Sequence, residues 1–212
     1  MVTRTDTALV AAEVLEPDRD PEPARPPTAR RQAECRDLEL PSANRAFGAF
    51  MVEETEISFG PSSRNRLAET SDPSARGAEA ALESFYYALN NRDLEALRED
   101  WSAHPLAQLD NPVGGIIRGS DAIASLYDRI FSGSVKVQVT FGDVVAYLGD
   151  SHAVYAGRES GHYATPDAAS IPLEIRTTRY FRYEEGHWRQ YHHHGSIDDP
   201  DALRAYQRAI RG

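Results

Sequence analysis

Between Gly77 and Trp101, small and apolar residues return every three or four positions, the interval at which side chains share one face of a helix. Ala80, Ala81, Ser84, Phe85, Ala88 and Leu89 carry the stripe, and Asn90 and Asn91 end it. A second helix follows, capped by Asp93 or Asn91 and stopping near Trp101, ahead of His104-Pro105. Residues 106–110 read as a short strand closed by Asn111-Pro112-Val113-Gly114-Gly115, where proline and paired glycines impose a turn. Ser120 or Asp121 then caps a third helix with Ile123, Leu126, Tyr127 and Ile130 on its apolar side, ended by Ser132-Gly133.

Beyond Gly133 the helical period gives way to alternation. Residues 135–141, 144–148 and 152–159 read as strands, with a turn at Gly149-Asp150. Two longer strands, 173–183 and 187–197, are joined by Glu184-Glu185-Gly186, and residues 199–210 read as a closing helix. Helices first and strands afterwards predict an α+β fold: a curved antiparallel sheet packed against three N-terminal helices.

The chain ahead of Gly77 has a different texture. Residues 16–41 mix charge of both signs with repeated proline and contain little to bury, so a disordered or extended region is expected over 1–76, with the folded domain at 77–212. Lys136 is the only lysine while arginine is plentiful, as a GC-rich coding sequence would produce, and Met51 is then a candidate start. Deleting residues 1–50 is expected to leave folding intact. Around Ile57-Ser58-Phe59-Gly60 a short arm is expected, ordered only if it docks on the domain.

Composition narrows the function classes. With 41% hydrophobic residues in 212, one domain plus a tail is expected. A formal net charge of -10 gives phosphate backbones and anionic membranes no general attraction, so neither nucleic acid nor membrane is expected as a partner. The apolar run over 8–15 is interrupted by Glu13 and followed by Glu16-Pro17-Asp18, unlike a signal peptide or a span. Cys35 is the single cysteine and has no metal-spaced partner, so a cytoplasmic protein without structural disulfides is expected.

Three stretches together resemble a known family. They are Tyr86-Tyr87-Ala88-Leu89-Asn90-Asn91-Arg92-Asp93-Leu94; Leu109-Asp110-Asn111-Pro112-Val113-Gly114 continuing to Arg118-Gly119-Ser120-Asp121; and Thr177-Thr178-Arg179-Tyr180-Phe181-Arg182 with Gly186-His187-Trp188-Arg189 and His192-His193-His194-Gly195. Their order and spacing are similar to the SnoaL-like, nuclear-transport-factor-2-like proteins, which include the ketosteroid isomerases and the calmodulin-dependent kinase association domain. The resemblance covers about two thirds of the chain and implies a cone-shaped scaffold around one small-molecule pocket. It does not imply steroid isomerisation. Where the isomerases place a proton-shuttling aspartate before Pro-Val, this chain has Asn111, and an amide has no proton-accepting pKa near neutrality. Arg179 falls where the isomerases keep an acid, and the closest register puts Phe85 at their oxyanion tyrosine.

Alternation selects the side chains that would face such a pocket. Leu173, Ile175, Thr177, Arg179, Phe181 and Tyr183 share a face that is apolar except in the middle, as suits a pocket with a few convergent polar groups. Arg179 on this face reads equally as a ligand anchor or as half of a buried ion pair; as an anchor, Arg179→Ala would weaken binding more than folding. The isomerase-like register turns Arg189, Tyr191 and His193 inward. It leaves Tyr180, Trp188 and His192 on an outer face that a homodimer would cover. The expected ligand-binding set is thus Tyr86, Tyr87, Asn111, Arg179 and Tyr191, with Asp110 and His193 as candidate proton-transfer groups. Asp110 also has a plainer role, accepting N–H bonds in the following loop, and a bulge would be required to turn it inward. Neighbouring strand residues point to opposite faces, so His192, His193 and His194 cannot all ligate one ion, and no metal or other cofactor is expected. The expected ligand is a small, mostly apolar molecule. Acid–base chemistry of isomerase, cyclase or hydrolase type and a non-catalytic binding or dimerisation module both remain open.

Overall fold

The structure is a computed structural model that describes residues 50–211. Most of the expected tail, residues 1–49, lies outside the described residues. In chain order the elements are β1 (Met51–Thr55), a 3-10 turn (Leu67–Glu69), α1 (Ala75–Asn91), α2 (Leu94–Asp100), β2 (Gln108–Asp110), β3 (Ile117–Arg118), α3 (Ser120–Ser132), β4 (Lys136–Gly149), β5 (His152–Thr165), β6 (Ala168–Glu184), β7 (His187–Ser196) and α4 (Pro200–Arg211).

The helices form where the apolar stripes put them, with starts and stops set by local chemistry. α1 begins two residues before Gly77 because Ser74, in extended conformation, caps it by accepting from the Arg76 N–H. Arg92 ends it in the left-handed region at φ 58°. The Arg92 guanidinium donates to the carbonyls of Gly133 and Val135, at 3.0 and 2.7 Å, tying the end of α1 to the start of the sheet. Asp93 caps α2 at Ala96 N–H. For α3 the structure departs from expectation: Gly119 is the N-cap, without a side-chain cap bond, and Ser120 is already helical.

The sheet runs β1-β4-β5-β6-β7-β2-β3 and is mixed rather than wholly antiparallel, because β2 lies parallel to β7, with Leu109 opposite His193. Such a pairing needs a long connection, here everything from β3 to β6, which short-range pattern does not report. β1 docks antiparallel on β4, Met51 opposite Leu148, and Phe59 exchanges two backbone hydrogen bonds with Phe141. The arm ahead of Gly77 is therefore ordered by docking, and Leu67 joins the core.

The two strands expected over 135–148 are one strand, β4, bent by a bulge between Gly142 and Val145 with Asp143 at φ 53°. The extra residue shifts the inward set from Val139 and Phe141 to Val144, Ala146 and Leu148, so both halves keep apolar side chains on the core side. Gly157 sits under this bulge: a Cβ there would stand 2.7 Å from the Gly142 carbonyl oxygen and 2.9 Å from that of Asp143. A Cβ on Gly161 would collide with the Gln138 carbonyl. Only glycine permits β4 and β5 to approach this closely, and that approach curls the sheet around α1, which packs on β4 and β7. A second bulge interrupts β6–β7 pairing, where Tyr180 faces His192 but Phe181 faces Gln190, leaving Tyr191 as the extra residue. Trp188, expected on the outer face, lies in the core instead and donates its indole N–H to the Asp72 carbonyl at 2.9 Å.

Candidate functional site

Inside the curl, two neighbouring strands bring charge into an apolar core. Arg179 on β6 is 0% exposed and Glu159 on the neighbouring β5 is 3% exposed. Nη2 of Arg179 donates to Glu159 Oε1 at 2.8 Å, Nε donates to the Tyr86 hydroxyl at 2.9 Å, and Nη1 donates to Gln190 Oε1 at 3.1 Å. The Tyr86 hydroxyl in turn donates to Glu159 Oε1 at 2.8 Å, closing a triangle. The guanidinium lies 3.5 Å above the Phe85 ring, which acts as a cation–π floor. Burial pulls the Arg179 pKa down, but Tyr86 and Glu159 outweigh it and the group stays charged. Burial, with Glu159 nearby, pushes the Tyr86 hydroxyl far above its ordinary range, so it remains a neutral donor.

A cavity of about 40 Å³ opens beside this triangle, bounded by Glu159, Arg179 and His193, by Asn111 and Pro112, and by apolar residues including Tyr127, Val139 and Ile175. That exceeds the roughly 10–15 Å³ a single water requires. Tyr206 of α4 closes the wall, and α4 is held over the 111–114 loop by Gln207 Nε2 donating to the Pro112 carbonyl at 2.8 Å and by Arg211 donating to the Val113 carbonyl. His193 is 4% exposed, and neither ring nitrogen has a hydrogen-bond partner. Burial first, then the charge of Arg179 and the neighbouring His192 and His194, holds its pKa well below 6.5, so the ring is neutral at physiological pH. A neutral imidazole offers one donor and one acceptor.

The expected site residues are thus divided. Asn111, Arg179 and His193 line the cavity, and Tyr86 stands behind it, hydrogen-bonded to Glu159 and Arg179; Asn111 also accepts from Val113 N–H at 3.2 Å to shape its loop. Tyr191 does not join them. The β7 bulge turns it outward, where its hydroxyl bonds Glu184 and its ring meets His104 and Tyr180, and Gln190 takes the inward place. Tyr87 is half-buried against the core without lining the cavity. Asp110 keeps to the outer side, accepting from Gln108 Nε2 at 2.8 Å and lying 4.0 Å from His192 Nε2. Glu159 was not singled out from sequence, yet the signal was present, since alternation with Ala153 and Tyr155 places it on an apolar strand face. Among the described residues, no group of three or more His, Cys, Asp or Glu side chains is placed to hold a metal ion. No helix among them is long and apolar enough to cross a membrane.

Residues 78–200 match the family model described as the SnoaL-like domain, more than half of the chain. The chain belongs to this family. Solved structures repeat the SnoaL-like architecture. A candidate dehydratase of the nuclear-transport-factor-2-like family from Streptomyces avermitilis is similar at 20% identity and TM-score 0.52, covering 59% of this chain and 97% of its own. A candidate calcium/calmodulin-dependent protein kinase II association domain from Xanthomonas campestris is similar at 18% and 0.51, covering 65% and 97%. A ketosteroid isomerase-like protein from Erwinia carotovora atroseptica is similar at 18% and 0.50, covering 65% and 99%. No curated protein matches the chain by sequence. At these identities the likeness establishes the fold of this SnoaL-like domain and leaves the chemistry to its residues.

Proposed function

We propose that this SnoaL-like domain binds a small, uncharged, mostly apolar molecule in its cone cavity, hydrogen-bonded by His193, with proton transfer as the chemistry the site is equipped for. The observation that carries this reading is His193, buried at the cavity with both nitrogens unpartnered and sharing its wall with Glu159, the one carboxylate lining it among the described residues. Charge argues against an anionic ligand: Arg179 is neutralised by Glu159, and Tyr86 and His193 are uncharged. An imidazole whose protonated form is disfavoured serves as a hydrogen-bond donor to a carbonyl better than as a base, which leaves proton acceptance to Glu159. Acetone and acetate, alike in shape and unlike in charge, are small carbonyl probes that test this by titration at pH 7. Acetone is expected to bind the tighter of the two, and His193→Phe to weaken it by up to about tenfold, the effect of one hydrogen bond. Equal binding of the two probes, or indifference to His193→Phe, would refute the reading.

A second reading, a dimerisation module, is favoured by the small cavity and by the outer sheet face. Cross-strand pairing lines up Tyr147, Val154, Tyr180 and His192 in one row across four strands, none of them fully buried. A homodimer through this row should scatter light as roughly twice the 23.5 kDa chain. A monomer at micromolar concentration would dispose of it.

A further inference from the structure

A second, larger opening lies on the same side of the sheet as the cone cavity, beside the edge strand β1. Its walls are β1 with the segment 56–59 on one side and the first turns of α1 on the other, and it encloses about 480 Å³. That is the size of a small-molecule site. Residues 53–59 precede the stretch that matches the family, so one wall of this groove is built by this chain's own N-terminal arm.

The groove has an apolar floor and an acidic rim. Ile57, Leu148 and the ring of Tyr155 form the floor; Glu53, Glu56 and Glu79 stand around it. Among the described residues no arginine or lysine comes within 4.0 Å of Glu53 or Glu56, and Glu79 has only Arg66 at 3.9 Å. Tyr155 is 2% exposed, and its hydroxyl is unpaired among the described residues while feeling the charges of Glu79 and Glu53, which raise its pKa together with the larger effect of burial. A hydroxyl that lines the groove beside Glu53, which no cation meets among the described residues, and Glu79, approached only by Arg66 at 3.9 Å, describes the complement of a cation carried on an apolar body.

We propose that this groove binds a small organic cation, a primary ammonium or guanidinium on an apolar scaffold, with the cation between Glu53 and Glu79 and the scaffold over Ile57 and Leu148. The net charge of -10 favours approach of such a ligand, and charge-assisted hydrogen bonds to two carboxylates and the Tyr155 hydroxyl hold it. The source is either a free amine or a basic side chain of a peptide, which offer the same chemistry to the groove.

Titration calorimetry of the full chain with phenethylamine, its neutral isostere 2-phenylethanol and a blocked arginyl-phenylalanine dipeptide distinguishes these. Phenethylamine is expected to bind with a Kd of roughly 1 mM or tighter, about tenfold better than the alcohol. Glu53→Gln with Glu79→Gln should abolish that difference without lowering the melting temperature. Tighter binding of the dipeptide than of the amine assigns the ligand to peptides, and the reverse order assigns it to free amines. Glu53→Gln alone, at an exposed position, should weaken the amine several-fold if the double variant fails to fold. Equal affinity for amine and alcohol, or binding unchanged in both variants, overturns the proposal.

Discussion

Replacing Arg179 by alanine is expected to destabilise the fold by about 3–5 kcal/mol, the usual consequence of removing one half of a buried ion pair and leaving the other charged and unpaired. Glu159 would lose a 2.8 Å partner while 3% exposed, and Phe85 would lose the guanidinium stacked on its ring. This reverses the expectation that the arginine matters more for binding than for folding. Each of the three guanidinium nitrogens is already committed to Glu159, Tyr86 or Gln190, so Arg179 frames the cavity rather than waiting for an anion. Urea denaturation of Arg179→Met, Glu159→Gln and the double variant measures the pair directly. A coupling energy of roughly 1–3 kcal/mol between them is expected, and independence of the two substitutions would mean the contact does not exist in solution.

Asp100, at the end of α2, should show the largest effect of pH. It is 0% exposed and neither carboxyl oxygen has a partner. Burial pushes its pKa up to about 8 against the pull of Arg179 and Arg189. Because that value lies above the ordinary 3.8, the folded protein keeps a proton that the unfolded chain loses between those two pH values. The group's contribution to stability is therefore full below pH 3.8, declines as pH rises across the window and is lost above about 8. Asp100→Asn removes the titration. It should be more stable than the parent at pH 8 by roughly 3–5 kcal/mol, with the gap closing towards pH 4. Denaturation midpoints of the two proteins that run parallel from pH 4 to pH 8 would show that Asp100 is solvated or paired.

His193 acts in the opposite sense. Its folded pKa is depressed, so its contribution is present above about pH 6.5 and is lost as acid protonates the unfolded chain in preference. Neither effect is visible in the primary structure, where Asp100 is one acid among many at a helix end and His193 one of three consecutive histidines. Low exposure and unpaired oxygens or nitrogens make both groups unusual, and those are properties of packing.

What could be read from sequence alone were features whose cause is local. The stripes of α1 and α3, the Asp93 cap, the Asn111-Pro112 turn and the alternation of β6 each depend on residues within a few positions of one another, so they identified the helices, the long strands and Arg179 as an inward charge. Glu159 was legible by the same rule. The tertiary structure decided three other things: the parallel seat of β2 against β7, the bulges in β4 and β7, and which acid meets Arg179. A bulge adds one residue to one strand and shifts every later side chain to the opposite face; that is how Tyr191 left the cavity and Gln190 replaced it, whereas β2 pairs with β7 in regular register and Asp110 stayed outside. Whether a bulge forms depends on how two strands fit across a curved sheet, as Gly157 fits beneath Asp143, and that fit exists only once residues distant in sequence have been brought within a few ångströms.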